Sequence, residues 1–303
     1  MLSISTAWNF AEGCQVREKL LEIKKLGLET IELGYTLSDQ QVKEIVPLLK
    51  GMNIKVSSIH NFCPVPNDEP SPRHLSNYYR LSSLDEKERR KAIEWTKKTI
   101  DLAKRVASKA VVIHAGTVEI EHDPFKELSK LYREGKMKTP EFAQLIDGML
   151  NARKKAKPPF MDAMMKSLEE VVPYAQQIGV IIGLETRYYP TEIPNFEEIG
   201  YLLNLFSKRG MKYWHDVGHG EVNERLGIRP QLDFLKTFAD QMVGMHLHGV
   251  ELLRDHKAPF VGDFDLKKVF PFLNGSLIKV TEARYATFEE LKVAVEKLSV
   301  FEE

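Results

Sequence analysis

Several things are scarce in this chain, and each scarcity excludes something. Cysteine occurs only at Cys14 and Cys63. These two form no CxxC pair and no disulfide framework, which leaves a reducing cytoplasm as the expected setting. Net charge is absent, because 43 Lys and Arg balance 43 Asp and Glu. A protein that lives on a polyphosphate backbone carries a basic surplus, so the balance counts against nucleic acid as the main partner. No run approaches the ~20 apolar residues of a membrane span. The chain starts with Leu2-Ser3-Ile4-Ser5, which reads as a strand and not as the basic start and apolar core of a secretory signal. Low-complexity tracts are missing too. No membrane partner is expected.

What is present is an alternation of short apolar runs with amphipathic stretches, the rhythm of β-α-β units and a parallel sheet. Strands are expected at Leu2–Thr6, Thr30–Leu33, Lys55–His60, Ala110–His114, Val180–Glu185, Lys212–Asp216, Val243–His248 and Ile278–Glu282. Eight strands is the number that closes an α/β barrel. Such a (β/α)8 TIM barrel takes about 250 residues, so residues 1–303 are read as one barrel domain with an insertion. Val16–Leu26 places Val16, Leu20, Ile23 and Leu26 on one helical face, and Gly27 stops it. Further helices are expected at Asp39–Lys50, Asp85–Val106, Met161–Ile178, Phe196–Phe206, Pro230–Phe238, Asp265–Phe272 and Phe288–Leu298.

Two segments break the rhythm. Pro64–Pro72 holds prolines at 64, 66, 70 and 72 and is expected as a loop after the third strand. Residues 122–159 are rich in Lys, Glu and Leu and are expected as a helical insertion after the fourth strand. An insertion there lies on the rim that carries barrel active sites. It is the segment expected to act as a lid, or as the contact between copies in a homo-oligomer.

The chemistry is positional. The third strand ends in His60, the fourth in His114, the fifth in Glu185, the sixth in Asp216 and the eighth in Glu282. The seventh carries His246 and His248, which face the same side because they are two residues apart. Asp216 and His219 bracket Gly218, read as the turn out of the sixth strand. In a barrel all these strand ends converge on one rim. Taken singly, a histidine at a strand end is explained as well by a satisfied core position. A glutamate closing the apolar run Val180-Ile181-Ile182-Gly183-Leu184 is harder to explain that way, because a carboxylate there must be paired or metal-bound. The set as a whole reads as a divalent-metal site.

The motifs I-H-N-F (59–62), V-I-H-A-G (112–116), G-L-E-T-R (183–187), H-D-V-G-H (215–219), M-H-L-H-G-V (245–250) and T-E-A-R (281–284), with G-L-E-T-I-E-L-G (27–34) and R-D-H-K-A-P (254–259), resemble the xylose isomerase-like superfamily of barrels. The resemblance covers nearly the whole chain. That superfamily includes sugar epimerases, sugar-phosphate isomerases, inosose dehydratases and endonuclease IV. In the epimerase branch, the resemblance implies one divalent ion (Mn, Zn, Co or Mg) held by Glu185, Asp216, His246 and Glu282. His248 is the alternative to His246 by a register step. Glu185 and Glu282 would be the acid and base that move a proton through an ene-diolate. His219 resembles the family's substrate-contacting histidine. His60, His114, His248, His256, Arg187, Arg254 and Trp8 complete the candidate contacts to a sugar or sugar phosphate, with Tyr35 and Phe62 as aromatic floor. A keto-inositol dehydratase starts with the same proton abstraction. The endonuclease IV branch implies instead three zinc ions, with His60, His114, Glu185, Asp216, His219, His246 and Glu282 all matched. Its Asp-x-His at the strand-seven loop is replaced here by the adjacent pair Asp255-His256.

Overall fold

The structure is a computed structural model and describes residues 1–68 and 75–301. Eight short strands form where the apolar runs lie: β1 (Leu2–Ser5), β2 (Thr30–Leu33), β3 (Lys55–His60), β4 (Ala110–Ile113), β5 (Ile181–Glu185), β6 (Met211–Asp216), β7 (Met242–Leu247) and β8 (Ile278–Thr281). They pair in parallel in chain order, and β1 pairs with β8 to close the barrel. The expected (β/α)8 architecture is therefore the observed one. Helices cover the outside, so both faces of each strand are buried, and the strands read as near-continuous apolar runs.

Alternation along each strand sorts the side chains into an outer and an inner set. Inside the barrel, Trp214 packs with Ala110, Val112, Ile278 and Val280. The indole fits because two neighbouring strands carry glycine. A Cβ at Gly244 would lie 2.1 Å from the Trp214 ring, and one at Gly183 would lie 3.1 Å from it. One residue pair further along the same strands, the inner positions become Glu185, Asp216 and His246.

Helix starts follow local chemistry. Capping boxes are formed by Ser38 with Gln41, Asn195 with Glu198, and Thr287 with Glu290. Three expectations need correction. The insertion and the following barrel helix are one element, Pro140–Ile178, which runs through Pro158 and Pro159. An interior proline removes a helix hydrogen bond, but here the buried face continues on both sides, with Met149 and Arg153 before and Phe160 and Met164 after. Tertiary packing outweighs the local penalty. Second, the Gly218 segment is no simple turn. It opens the helix Val217–Arg225, capped by the Asp216 side chain. Third, Leu266–Phe272 is a 3-10 helix, not an α-helix.

Residues before Pro140 also form the helix Phe125–Arg133. Leu128, Leu131, Phe142, Ile146 and Met149 pack against Val222, Leu226 and Leu253. The insertion thus sits on the rim elements that follow β6 and β7. Gly249–Glu251 and Arg254–Lys257 make a small antiparallel ribbon after β7. Of the proline-rich stretch, residues 69–72 lie outside the described residues. Among the described residues, no helix is long and apolar enough to cross a membrane.

Candidate metal centre and pocket

The inner residues at the C-terminal strand ends meet in one buried cluster. Glu185, Asp216, His246 and Glu282 each place one donor atom within 4.8 Å of the others. His246 Nδ1 lies 2.7 Å from Glu185 Oε1, 3.2 Å from Glu282 Oε2 and 3.5 Å from Asp216 Oδ2. Its Nε2 lies 3.2 Å from Glu32 Oε2. His248 stands behind Asp216. Its Nε2 is 3.0 Å from Asp216 Oδ1, and its Nδ1 accepts the His256 backbone N–H at 3.1 Å. Because Nδ1 is used as an acceptor, Nε2 carries the proton and donates to Asp216. The pair at 246 and 248 therefore splits into one residue facing the carboxylates and one bracing a carboxylate.

The Asp216–His248 contact also explains Gly218. A Cβ there would lie 2.1 Å from His248 Cε1 and 2.9 Å from Asp255 Cβ. Asp216 itself accepts the His219 backbone N–H at 2.8 Å, so a single carboxylate caps a helix and joins the cluster.

Two further groups flank the first. His60 and His114 join Glu185 in one. His60 Nδ1 donates to the Asn61 carbonyl at 3.0 Å, and its Nε2 is directed at the rim, 3.7 Å from Glu185 Oε2. His114 Nε2 is 2.6 Å from the same oxygen. The other group is His219, Asp255 and His256. His219 Nδ1 donates to the Thr186 carbonyl at 2.8 Å, and its Nε2 faces Asp255 Oδ2 at 3.5 Å. Adjacent residues on an extended strand point to opposite sides. His256 escapes this with φ +59°, and its ring stacks on His248 at 4.6 Å. The left-handed backbone lets both members of the Asp255-His256 pair face His219.

His60, His114, Glu185, His219, Asp255, His256 and Glu282 line a cavity of about 310 Å³, together with Tyr35, Asn77, Arg187, Tyr188, Tyr189, Glu192, Arg284 and Tyr285, while Asp216 and His246 lie behind its wall. Arg187 is buried and bridges Glu185 Oε2 at 2.7 Å and Glu192 Oε1 at 2.8 Å. Arg254 and Trp8 do not line this cavity. The Arg254 guanidinium lies 4.4 Å from the Tyr285 ring centroid. Trp8 Nε1 donates to the Ala286 carbonyl at 3.0 Å, and its ring packs near Phe288. Phe62 is buried against Tyr79, while Tyr35 lines the cavity.

Sequence reasoning passed over Glu32, Glu192, Tyr188, Tyr189 and Tyr285. Glu32 carried a usable signal: it is a carboxylate inside the apolar strand Thr30–Leu33, the same argument that selected Glu185. Glu192 and the tyrosines lie in connecting segments, where no periodicity marks the inward face.

Burial and charge compete throughout. Burial pushes the Glu185 carboxyl up, but His114, His246 and His60 hold it well below the ordinary range. Burial likewise raises Asp216, and His219 and His248 outweigh it. Burial lowers His246, yet the charges of Glu32 and Glu282 push it well above the usual histidine value. His114 is pushed down to about 3 by burial, with Arg187 next. Glu185, Asp216, His246 and Glu282 thus form a buried group of carboxylates and imidazole that could hold a metal ion. The donor set of carboxylates and imidazole suits Mn, Zn, Co or Mg, so these residues fit a divalent ion.

A closed parallel barrel with carboxylates and histidines gathered at its C-terminal rim defines the class. The chain belongs to the xylose isomerase-like TIM barrel family, whose model matches residues 20–279. No curated protein matches. Solved structures share the fold. The 3-keto-D-glucoside 4-epimerase from E. coli superposes with a TM-score of 0.67 at 14% identity, covering 99% of this chain and 98% of that one. D-psicose 3-epimerase from Clostridium cellulolyticum H10 gives 0.67 at 15% identity, covering 100% and 99%. An L-ribulose 3-epimerase gives 0.66 at 13% identity, covering 99% and 94%. Identities this low carry the fold alone.

Proposed function

We propose that this protein is a divalent-metal-dependent sugar or sugar-phosphate isomerase or epimerase. The observation that carries the reading is the joint placement of Glu185 and Glu282 around His246 Nδ1, with both carboxylates facing the same cavity. A bound divalent ion would supply Lewis acidity that polarises a substrate carbonyl and its neighbouring hydroxyl. Glu185, Asp216, His246 and Glu282 would hold it.

Glu185 and Glu282 are unequally tethered. Glu185 is fixed by His246 on one oxygen and by Arg187 on the other. Glu282 has looser contacts, to His246 at 3.2 Å and to His256 Nε2 at 3.5 Å. Glu282 is the group freer to take a proton from the carbon beside the carbonyl, and Glu185 the one to return it. His219, His60 and His114 reach the cavity and are placed to bind substrate hydroxyls, with Arg187 and Glu192 behind them. Tyr188 and Tyr189 offer apolar faces to the cavity. Sugar-epimerase structures among the similar folds agree with this choice.

The experiment is a screen of ketoses and their phosphates with Mn or Co in D2O, reading deuterium incorporation at the carbon beside the carbonyl. Incorporation lost in Glu282→Gln supports the proposal. No incorporation with any ketose, in protein shown to bind the ion, removes it.

A second reading is favoured by a specific observation. The groups His60–His114–Glu185 and His219–Asp255–His256 flank the first, so three groups on the rim, two of them sharing Glu185, could hold cations. Such an array suits an activated water attacking a phosphodiester, as in endonuclease IV. Metal analysis separates the readings: about one ion per chain fits the epimerase, and about three zinc ions make abasic-site DNA the next substrate.

A further inference from the structure

We propose that Glu32 is the positioning residue of the metal centre: it holds the Nε2–H of His246 and thereby turns Nδ1 toward Glu185, Asp216 and Glu282. The inference rests on the metal-centre reading above and assigns a role to a residue outside the ligand set.

Glu32 sits on the inner face of β2 and is fully buried. Its Oε2 lies 3.2 Å from His246 Nε2 and accepts the Ser58 hydroxyl at 2.8 Å. Its Oε1 has no hydrogen-bond partner. No Lys or Arg forms a salt bridge with it among the described residues. A carboxylate buried without ammonium or guanidinium is expensive to maintain. Such a group persists where something else depends on it, and the group it meets is the imidazole at the centre of the cluster.

The dependence concerns which nitrogen carries the proton. An imidazole that donates from Nε2 leaves the Nδ1 lone pair free, and the reverse tautomer closes Nδ1 to an ion. Other neighbours fix the ring without choosing. The Trp214 ring meets it edge-on at 5.1 Å, and the His60 ring stacks at 5.9 Å. Both constrain the plane, and neither accepts a proton from Nε2. Among the described residues, Glu32 is the acceptor on the Nε2 side of the ring, opposite the Nδ1 contacts to Glu185, Glu282 and Asp216. Ser58 aims the carboxylate, and the sheet register makes this automatic, because Glu32 and Ser58 are direct partners across β2 and β3. A negative charge behind the ring also strengthens Nδ1 as a donor, as carboxylates behind metal-bound histidines generally do.

The test is cobalt binding to protein stripped of metal, read as a dissociation constant by chelator competition and as the visible ligand-field spectrum. Glu32→Gln keeps the volume and weakens the acceptor. It is expected to bind cobalt about 10–100-fold less tightly and to shift the cobalt bands. A merely structural role would lower the unfolding temperature of the metal-free protein and leave the bands alone. Ser58→Ala, which leaves Glu32 in place, is expected to move affinity in the same direction by less, and it carries the test should Glu32→Gln fail to fold. Affinity and spectrum unchanged in the variant that folds, with cobalt bound by the wild type, overturn the role of Glu32 alone. No cobalt bound by the wild type overturns the metal-centre reading and this inference together.

Discussion

The barrel interior has two layers that solve opposite problems. In the lower layer Trp214 fills the space between strands, and Gly183 and Gly244 make room for it. In the upper layer, two residues further along the same strands, Glu185, Asp216 and His246 crowd together with Glu32 and Glu282. Dispersion and the exclusion of water hold the first layer, which needs only complementary shape. The second gathers like charges out of water, and needs protons or a cation to compensate. The lower layer is a rigid floor. It sets the indole edge-on to the His246 ring, with 5.1 Å between the centroids.

The sharpest way to break the contrast is to neutralise the upper layer. Glu185→Gln or Glu282→Gln should reduce deuterium exchange into substrate by about 10²–10⁴-fold and lower bound metal, while leaving the circular dichroism of the barrel unchanged. Equal activity in both variants would remove the carboxylates from the chemistry.

Next in size is an overpacked floor. Gly244→Ala places a methyl 2.1 Å from the Trp214 ring. Denaturant unfolding should show a loss of about 1–3 kcal/mol. Trp214→Phe in the same chain should recover part of it, and additivity of the two changes would show that the glycine has another role.

A smaller effect is expected one shell out. His248→Ala removes the donor to Asp216 and should weaken metal binding by about tenfold with little change in unfolding temperature. An affinity equal to the wild type would mean that Asp216 is aimed by the helix it caps.

A last test separates the site from its surroundings by pH. His215 lies outside the cluster, with its Nδ1 2.6 Å from the Tyr213 hydroxyl, and burial pushes it down to about 4. The unfolded chain therefore takes up a proton first as pH falls. Stability contributed by the neutral ring is fully present above about pH 6.5 and declines toward pH 4, with a slope of at most about 1.4 kcal/mol per pH unit. Urea unfolding across that window should show this slope for the wild type and a shallower one for His215→Asn. Identical slopes would assign the acid sensitivity to other groups.

Much of this was legible from one dimension. The strand ends were marked by polar residues closing apolar runs, and helix ends by glycine and capping residues such as Ser38 and Gln41. His60, His114, Glu185, Asp216, His246 and Glu282 meet at the rim for that reason, while His219 and His256 reach it from the helix after β6 and the ribbon after β7. The departures have physical causes. Pro158 and Pro159 read as a boundary, yet a continuous buried face carries the helix through them. Gly218 read as a turn, and its real constraint is His248, 30 positions further along the chain and just past the end of β7. Glu32 was readable by the argument that found Glu185, but its partner lies 214 residues further along the chain.

The sequence by itself determined the βα rhythm, the closed barrel and the identity of the residues at its strand ends, because hydrophobic period and strand parity are local properties. Only the tertiary structure decided which histidine nitrogen faces the carboxylates, that His248 braces Asp216 while His246 joins the cluster, and that Asp255 and His256 turn to the same side. Those outcomes depend on distances between strands remote in sequence and on one left-handed backbone angle, and no local pattern encodes either.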